Sequence, residues 1–277
     1  MTDDIFPVTT STCFNETRTT IVLKNSKVTG KFVQEIASKC PNLQVVDLSG
    51  TFQVDDDTIE FILSKCKNIR QILIQNCRKM TNRLLQIIKA FDSPALEALD
   101  IGGDVNITIS GIESFLQTYP HCKSFIRLNI SGIIANDRIL HLVTSKLTAI
   151  SNLGIGYGDI SEAALVSFLK TRGSSIKYLN ISWLGTTPGA LNSLLSMDSF
   201  IETIIQYCHT LTELDLCGLK SVSLQHLQHL IESRVARQVL DPSVKGFSAI
   251  HCKFIGTSKA QIDSTLSINF QNIKIIS

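Results

Sequence analysis

A spacing of apolar residues at positions i, i+3 and i+5 returns along most of this 277-residue chain. It reads Leu43-x-x-Val46-x-Leu48, Ile69-x-x-Ile72-x-Ile74, Leu96-x-x-Leu99-x-Ile101 and Phe125-x-x-Leu128-x-Ile130. It continues as Ile150-x-x-Leu153-x-Ile155, Ile176-x-x-Leu179-x-Ile181 and Leu211-x-x-Leu214-x-Leu216. Successive first positions lie 26, 27, 29, 25, 26 and 35 residues apart. A unit of that length cannot bury its own apolar face, so such units stack. A stacked chain offers partners a surface more readily than a pocket.

Each unit carries two periodicities. In the stretch 42–68, Leu43 to Leu48 alternates as a short strand with Val46 and Leu48 inward. Ser49-Gly50 turns the chain and Val54 adds an inward anchor. Asp55 to Asp57 suit a helix N-terminus, and Ile59, Phe61, Ile62 and Leu63 give that helix an apolar face. Helical segments recur as TIEFILSKC, RLLQIIKAF, GIESFLQTY, RILHLVTSK, EAALVSFLK, ALNSLLSM and LQHLQHLIE. The expected fold is an α/β solenoid: a right-handed horseshoe with a parallel concave sheet and outer helices. Residues 1–17 form a tail, and residues 18–277 one repeat domain of nine or ten units. Atypical units fall near 18, 247 and 270, as terminal repeats should.

Four cysteines share a register: Cys40, Cys66, Cys122 and Cys208 each stand three residues before a unit's first anchor. They lie on successive rungs and do not converge, which suits packing at helix ends rather than metal binding. Cys77 falls at the turn after its strand, and Cys217 at a strand end, where more exposure is expected. The acidic N-terminus lacks the charge and apolar run of a secretory signal. No apolar run nears the about 18 residues of a membrane span. These features point to reduced thiols and a cytoplasmic or nuclear protein. The net charge of +2 gives no basic stripe for nucleic acid. The local clusters Lys65, Lys67, Arg70 and Arg78, Lys79, Arg83 read as a solvated rim.

The pieces CPNLQVVDLSG, CKNIRQILIQNC, CKSFIRLNISG and CHTLTELDLCG resemble the cysteine-containing leucine-rich repeat. That repeat is typical of F-box/leucine-rich-repeat proteins, the substrate receptors of Skp1–cullin–F-box ubiquitin ligases, and of the mitotic-exit-network antagonist family. The resemblance covers residues 18–277 and implies substrate recognition or an adaptor role in ubiquitin-dependent turnover, with Skp1–cullin machinery as a partner. The 17 residues ahead of the first strand contain no Leu-Pro-x-Glu-type start, so no F-box is visible in them. The alternatives are a stand-alone regulatory scaffold or inhibitor outside the ubiquitin system and, third, a secreted effector.

The template selects the side chains that face the partner side. The central strand position reads Asp47, Leu73, Asp100, Asn129, Gly154, Asn180 and Asp215. Two residues earlier it reads Val45, Gln71, Ala98, Arg127, Asn152, Tyr178 and Glu213. Tyr157, Tyr178 and Trp183, the last the chain's single tryptophan, fall on two adjacent units. Aromatics dominate interface energetics, so the candidate partner-binding residues are Tyr157, Tyr178, Trp183, Asp47, Leu73, Asp100, Arg127, Asn129, Asn180 and Asp215. Asp and Asn at the central position also have a plainer role, holding neighbouring backbone. Trp183 has one as well, packing under the following turn.

The long intervals suggest two insertions: SMDSFIETIIQYC, an extended or broken outer helix, and VARQVLDPSVKG, a loop. No Walker loop, nucleophile elbow, zincin helix or dinucleotide turn occurs, and Gly154-Ile-Gly156-Tyr-Gly158 straddles a strand and its turn. His226 and His229 share a helix face without an evident third ligand. The reading is a binding protein without catalysis, cofactor or metal, and a monomer outside its complexes.

Overall fold

A computed structural model describes residues 14–186, 197–219 and 221–251, and the backbone of 274–276. It divides into two compact units. The first runs to Ile133 and includes Lys146–Ala149; the second comprises Ile134–Ser145 and the chain from Ile150.

The first unit contains β1 (Thr20–Val22), α1 (Gly30–Lys39), β2 (Val45–Asp47), α2 (Asp56–Lys65), β3 (Gln71–Leu73), α3 (Asn82–Phe91), β4 (Ala98–Asp100), α4 (Ile109–Thr118) and β5 (Arg127–Asn129). Its strands pair in parallel and in chain order, with Ile21, Val46, Ile72, Leu99 and Leu128 level with one another. The second holds α5 (Asp137–Lys146), β6 (Asn152–Gly154), α6 (Glu162–Arg172), β7 (Tyr178–Asn180), α7 (Met197–Tyr207), β8 (Glu213–Asp215), α8 (Leu224–Leu240), β9 (Ala249–His251) and β10 (Lys274–Ile276). Here Leu153, Leu179, Leu214 and Ile250 are level, and the β10 backbone joins at Ile275.

The apolar spacing makes the core. Leu43 and Leu48 are fully buried and Val46 nearly so, and each unit in turn contributes the same trio. Helices start where a side-chain acceptor can take an otherwise unpaired N–H. Thr29, Asp55, Thr108, Ser161 and Ser223 each accept from the third residue on. Asn136 does the same for Ile139 N at 3.0 Å. Neighbouring starts are also tied together: Asp56 accepts from Thr81, Asn82 from Thr108 N at 2.9 Å, and Asp137 from Ser161 N at 2.7 Å.

The shared cysteine register is a packing device, as expected, with one addition. Cys40, Cys66, Cys122 and Cys208 are buried, and the Cys66 thiol donates to the Cys40 carbonyl at 3.3 Å. Burial pushes the Cys66 and Cys122 thiols up to about 11 and Cys208 to about 12, so none is a ready nucleophile. Cys217 is only half-buried.

Two expectations need correction. The supposed insertion SMDSFIETIIQYC is this unit's own helix, α7, with Phe200, Ile201 and Ile204 buried. Its end is fixed by Cys208, which occupies the same register as the other helix-end cysteines. Most of ALNSLLSM lies outside the described residues. Likewise α8 runs 17 residues and absorbs VARQVL, leaving a loop only from Asp241. Nothing before Pro242 breaks the helix. Of the last two strand trios, Phe247 and Ile250 are buried as expected, and Cys252, Phe270 and Ile273 fall outside the described residues.

Candidate functional site

The side chains that alternate with the buried anchors face away from the helices. Val45, Asp47, Gln71, Leu73, Asp100, Asn129, Tyr178, Asn180 and Asp215 are half-buried there, and Arg127 and Glu213 are exposed. Most of the Asp and Asn members hold the turn that follows their strand. Asp47 accepts from Ser49 N, Asp100 from Gly102 N, Asn129 from Ser131 N, Asn180 from Ser182 N and Asp215 from Cys217 N, at 2.9–3.2 Å. Asp100 also accepts from Asn129 Nδ2 at 2.9 Å, and its burial raises its pKa. These residues are chosen first for the turn. Their remaining oxygen surface is what a partner would meet.

Immediately after these turns comes a position that the sequence reading did not single out. In eight units the third residue after the strand's last residue has positive φ: Asn25, Gly50, Asn76, Gly103, Gly132, Tyr157, Trp183 and Gly218. In six of them, Asn25, Gly50, Asn76, Gly103, Tyr157 and Trp183, a hydrogen bond to the next repeat pins this conformation, as from Asn76 N to the Gly102 carbonyl at 2.7 Å. Tyr157 N binds the Ser182 carbonyl at 2.8 Å and Trp183 N the Cys217 carbonyl at 2.7 Å in the same way. Glycine and asparagine tolerate left-handed backbone, whereas a bulky residue loses about 1–2 kcal/mol there. Tyr157 (φ 64°) and Trp183 (φ 58°) are the two units that break the rule, and they are adjacent. The missed signal was legible as a run of Asn and Gly at one register, interrupted at 157 and 183.

The two rings lie nearly parallel, 15° apart with centroids 5.8 Å from each other. They are 44% and 37% exposed, so neither belongs to the core. Trp183 rests on Gly218: a Cβ built there would come within 2.2 Å of the indole. The plainer role for Trp183, packing on the following turn, is thus present together with exposure. The result is a shelf made of Tyr157, Trp183 and Gly218 at the C-terminal ends of β6, β7 and β8. Tyr178 stands at the opposite end of β7, and Asp47, Leu73, Asp100, Arg127 and Asn129 belong to the first unit.

The remaining candidates have structural partners. Arg70 pairs with Glu97 at 2.7 Å, and Arg83 with Asp57 and Glu60. Lys65, Lys67 and Arg78 lie over the rings of Phe61, Phe91 and Phe52. His226 completes the start of α8 by accepting from Ser223 N and reaches Asp198 at 3.0 Å; His229 reaches Glu202 at 2.7 Å. No group of three His, Cys, Asp or Glu among the described residues is placed to hold a metal. No described helix is long and apolar enough to cross a membrane.

No family model and no curated protein matches the chain. Solved structures do. Rad7, in the crystal structure of the yeast Rad7–Elc1 complex, aligns with a TM-score of 0.54 at 10% identity over 100% of this chain and 84% of its own. The leucine-rich-repeat-containing protein LegL7 from Legionella pneumophila aligns with a TM-score of 0.51 at 18% identity over 96% of this chain and 84% of its own. With its level apolar trios and alternating helices, the chain has the leucine-rich-repeat fold.

Proposed function

We propose that this chain is a protein-recognition module of the F-box/leucine-rich-repeat kind, which selects a substrate or acts as an adaptor in ubiquitin-dependent turnover. The observation that carries recognition is the Tyr157–Trp183 pair. Large aromatics held exposed on left-handed backbone, where six other units use Asn or Gly, are kept at a cost in stability. Interface hot spots are enriched in these residue types. The ubiquitin assignment rests on the cysteine-register repeat; that Rad7, which shares the fold, was solved together with a second protein supports only the coarser reading of protein recognition. Chemistry on the substrate would take place on other subunits, in the cytoplasm or nucleus.

Affinity capture from lysate with the wild-type chain and a Tyr157→Asn, Trp183→Asn double variant tests this. The reading expects Skp1 or a cullin with the wild type, and a further protein that the variant loses. A partner lost in the variant without any ligase subunit would make the chain a stand-alone scaffold or inhibitor. Identical captures would overturn recognition at these rings.

A further inference from the structure

We infer that the shelf on the second unit takes an arginine-bearing segment of its protein partner; this rests on the recognition reading above. Three features of the surface select that chemistry. The first is the pair of nearly parallel, exposed rings, whose π-faces attract a cation, and a planar guanidinium best of all. The second is the charge beside them. Asp215 lies level with Asn180, the last residue of β7, three residues before Trp183; Glu213 is exposed on the same strand at its other end, level with Tyr178. The third is what that face leaves out. At the outward positions of β6 to β9, no lysine or arginine occurs; the imidazole of His251 is the only basic group there. Lys177 precedes β7, at the opposite end of the strand from Trp183.

Outward positions that, from β6 to β9 among the described residues, carry acids and aromatics but no lysine or arginine are complementary to a cationic side chain. The first unit differs, since Arg127 stands on its outward face, close enough to Asp100 to offset a small part of the rise that burial gives its pKa. Trp183 also needs its support. Seated on Gly218, the indole is held at a fixed tilt, so little side-chain freedom is lost when a guanidinium stacks on it.

Trp183 is the chain's single tryptophan, so its emission reports on this shelf alone. The full chain is titrated with Gly/Ser peptides of equal length that differ only in carrying arginine, lysine, glutamate or leucine. The inference expects the arginine peptide to change the emission saturably, the lysine peptide to bind several-fold more weakly, and the other two not to bind. A Glu213→Gln, Asp215→Asn variant keeps the acceptor for Cys217 N. It should lower affinity for the arginine peptide about tenfold. If the leucine or glutamate peptide binds as well as the arginine peptide, the partner chemistry is wrong while recognition at the shelf stands. If no peptide binds, the inference falls, and the capture experiment with the double variant then decides whether recognition falls with it.

Discussion

Replacing Asp104 by asparagine should stabilise the first unit by an amount that depends on pH. Asp104 is fully buried, and neither carboxylate oxygen has a hydrogen-bond partner among the described residues. It sits three residues after its unit's third anchor, Ile101. The residues at that register in the two preceding units donate to the carbonyl of the anchor behind them. Thr51 Oγ1 donates to Leu23 O at 3.0 Å, and Cys77 Sγ to Leu48 O at 3.1 Å. Continuing the register, Asp104 would donate to Ile74 O, and a carboxyl can donate only when protonated. Burial pushes its pKa up to about 8. The negative charges of Asp100 and Asp56 add to the rise, and the Cys77 N–H opposes it without meeting hydrogen-bond geometry.

The folded state thus keeps a proton that the unfolded chain gives up near pH 4. Stability attached to this group is complete below about pH 4 and is lost as pH rises towards 8, at no more than about 1.4 kcal/mol per pH unit. At pH 7 the loss is up to about 4 kcal/mol. Asparagine fills the same space and donates without titrating. Urea unfolding followed by far-UV circular dichroism from pH 5 to pH 8.5 should show Asp104→Asn gaining on the wild type as pH rises, by about 2–4 kcal/mol at pH 7. Other titrating groups are common to both proteins and cancel in the difference. A difference that stays constant with pH would refute the protonated ladder.

The strain at the shelf has its own signature: Tyr157→Asn should be more stable than Tyr157→Ala by about 1 kcal/mol, because asparagine accepts left-handed backbone. Equal unfolding midpoints for the two variants would mean that the turn relaxes and no strain is held. Alkylation of the native protein mapped by mass spectrometry should modify Cys217 and spare Cys66, Cys77, Cys122 and Cys208, whose pKa values burial pushes up to about 11 or 12. Fast labelling of those four would show that the rungs open. Arg234→Met should destabilise the second unit by about 3 kcal/mol in chemical denaturation. The buried guanidinium donates to the carbonyls of Cys208, His209, Leu211 and Lys245. Arg234→Lys should recover little, since one ammonium cannot reach all four.

What could be read from the sequence was what repeats strictly. Leu43, Val46 and Leu48 and their counterparts announce the strands, because every rung must bury the same three side chains. The cysteines announce the helix ends for the same reason. The error at α7 arose where two rules competed. Period alone left SMDSFIETIIQYC as an excess, but Cys208, in the register of the other helix-end cysteines, already marked it as a helix end. The length of α8 was missed because the interval to Phe247 was taken as an insertion, although no residue before Pro242 opposes a helix. The left-handed turn position was legible in the run Asn25, Gly50, Asn76, Gly103, Gly132, but its aromatic exceptions were noticed only as aromatics. No spacing argument could have revealed that Asp104 lacks a partner, because that depends on which carbonyls its neighbours have already used.

Stacking in each unit uses backbone groups, caps and buried anchors, so the exposed ends of the outward side chains are free to vary without loss of the fold. That freedom explains how two proteins with 10% and 18% identity share this architecture, and why such a likeness says little about partners. Information about function should instead lie where the chain departs from its own stacking rule. The described residues show two such departures, and exposure separates them. Asp104 departs inside the core, where only stability and pH can respond. Tyr157 and Trp183 depart at the surface, on backbone that six other units give to glycine or asparagine, and with Trp183 the following unit supplies a glycine on which the ring can lie. A substitution that costs stability and faces solvent has no beneficiary in the fold, and that is the reason for placing the proposed recognition there.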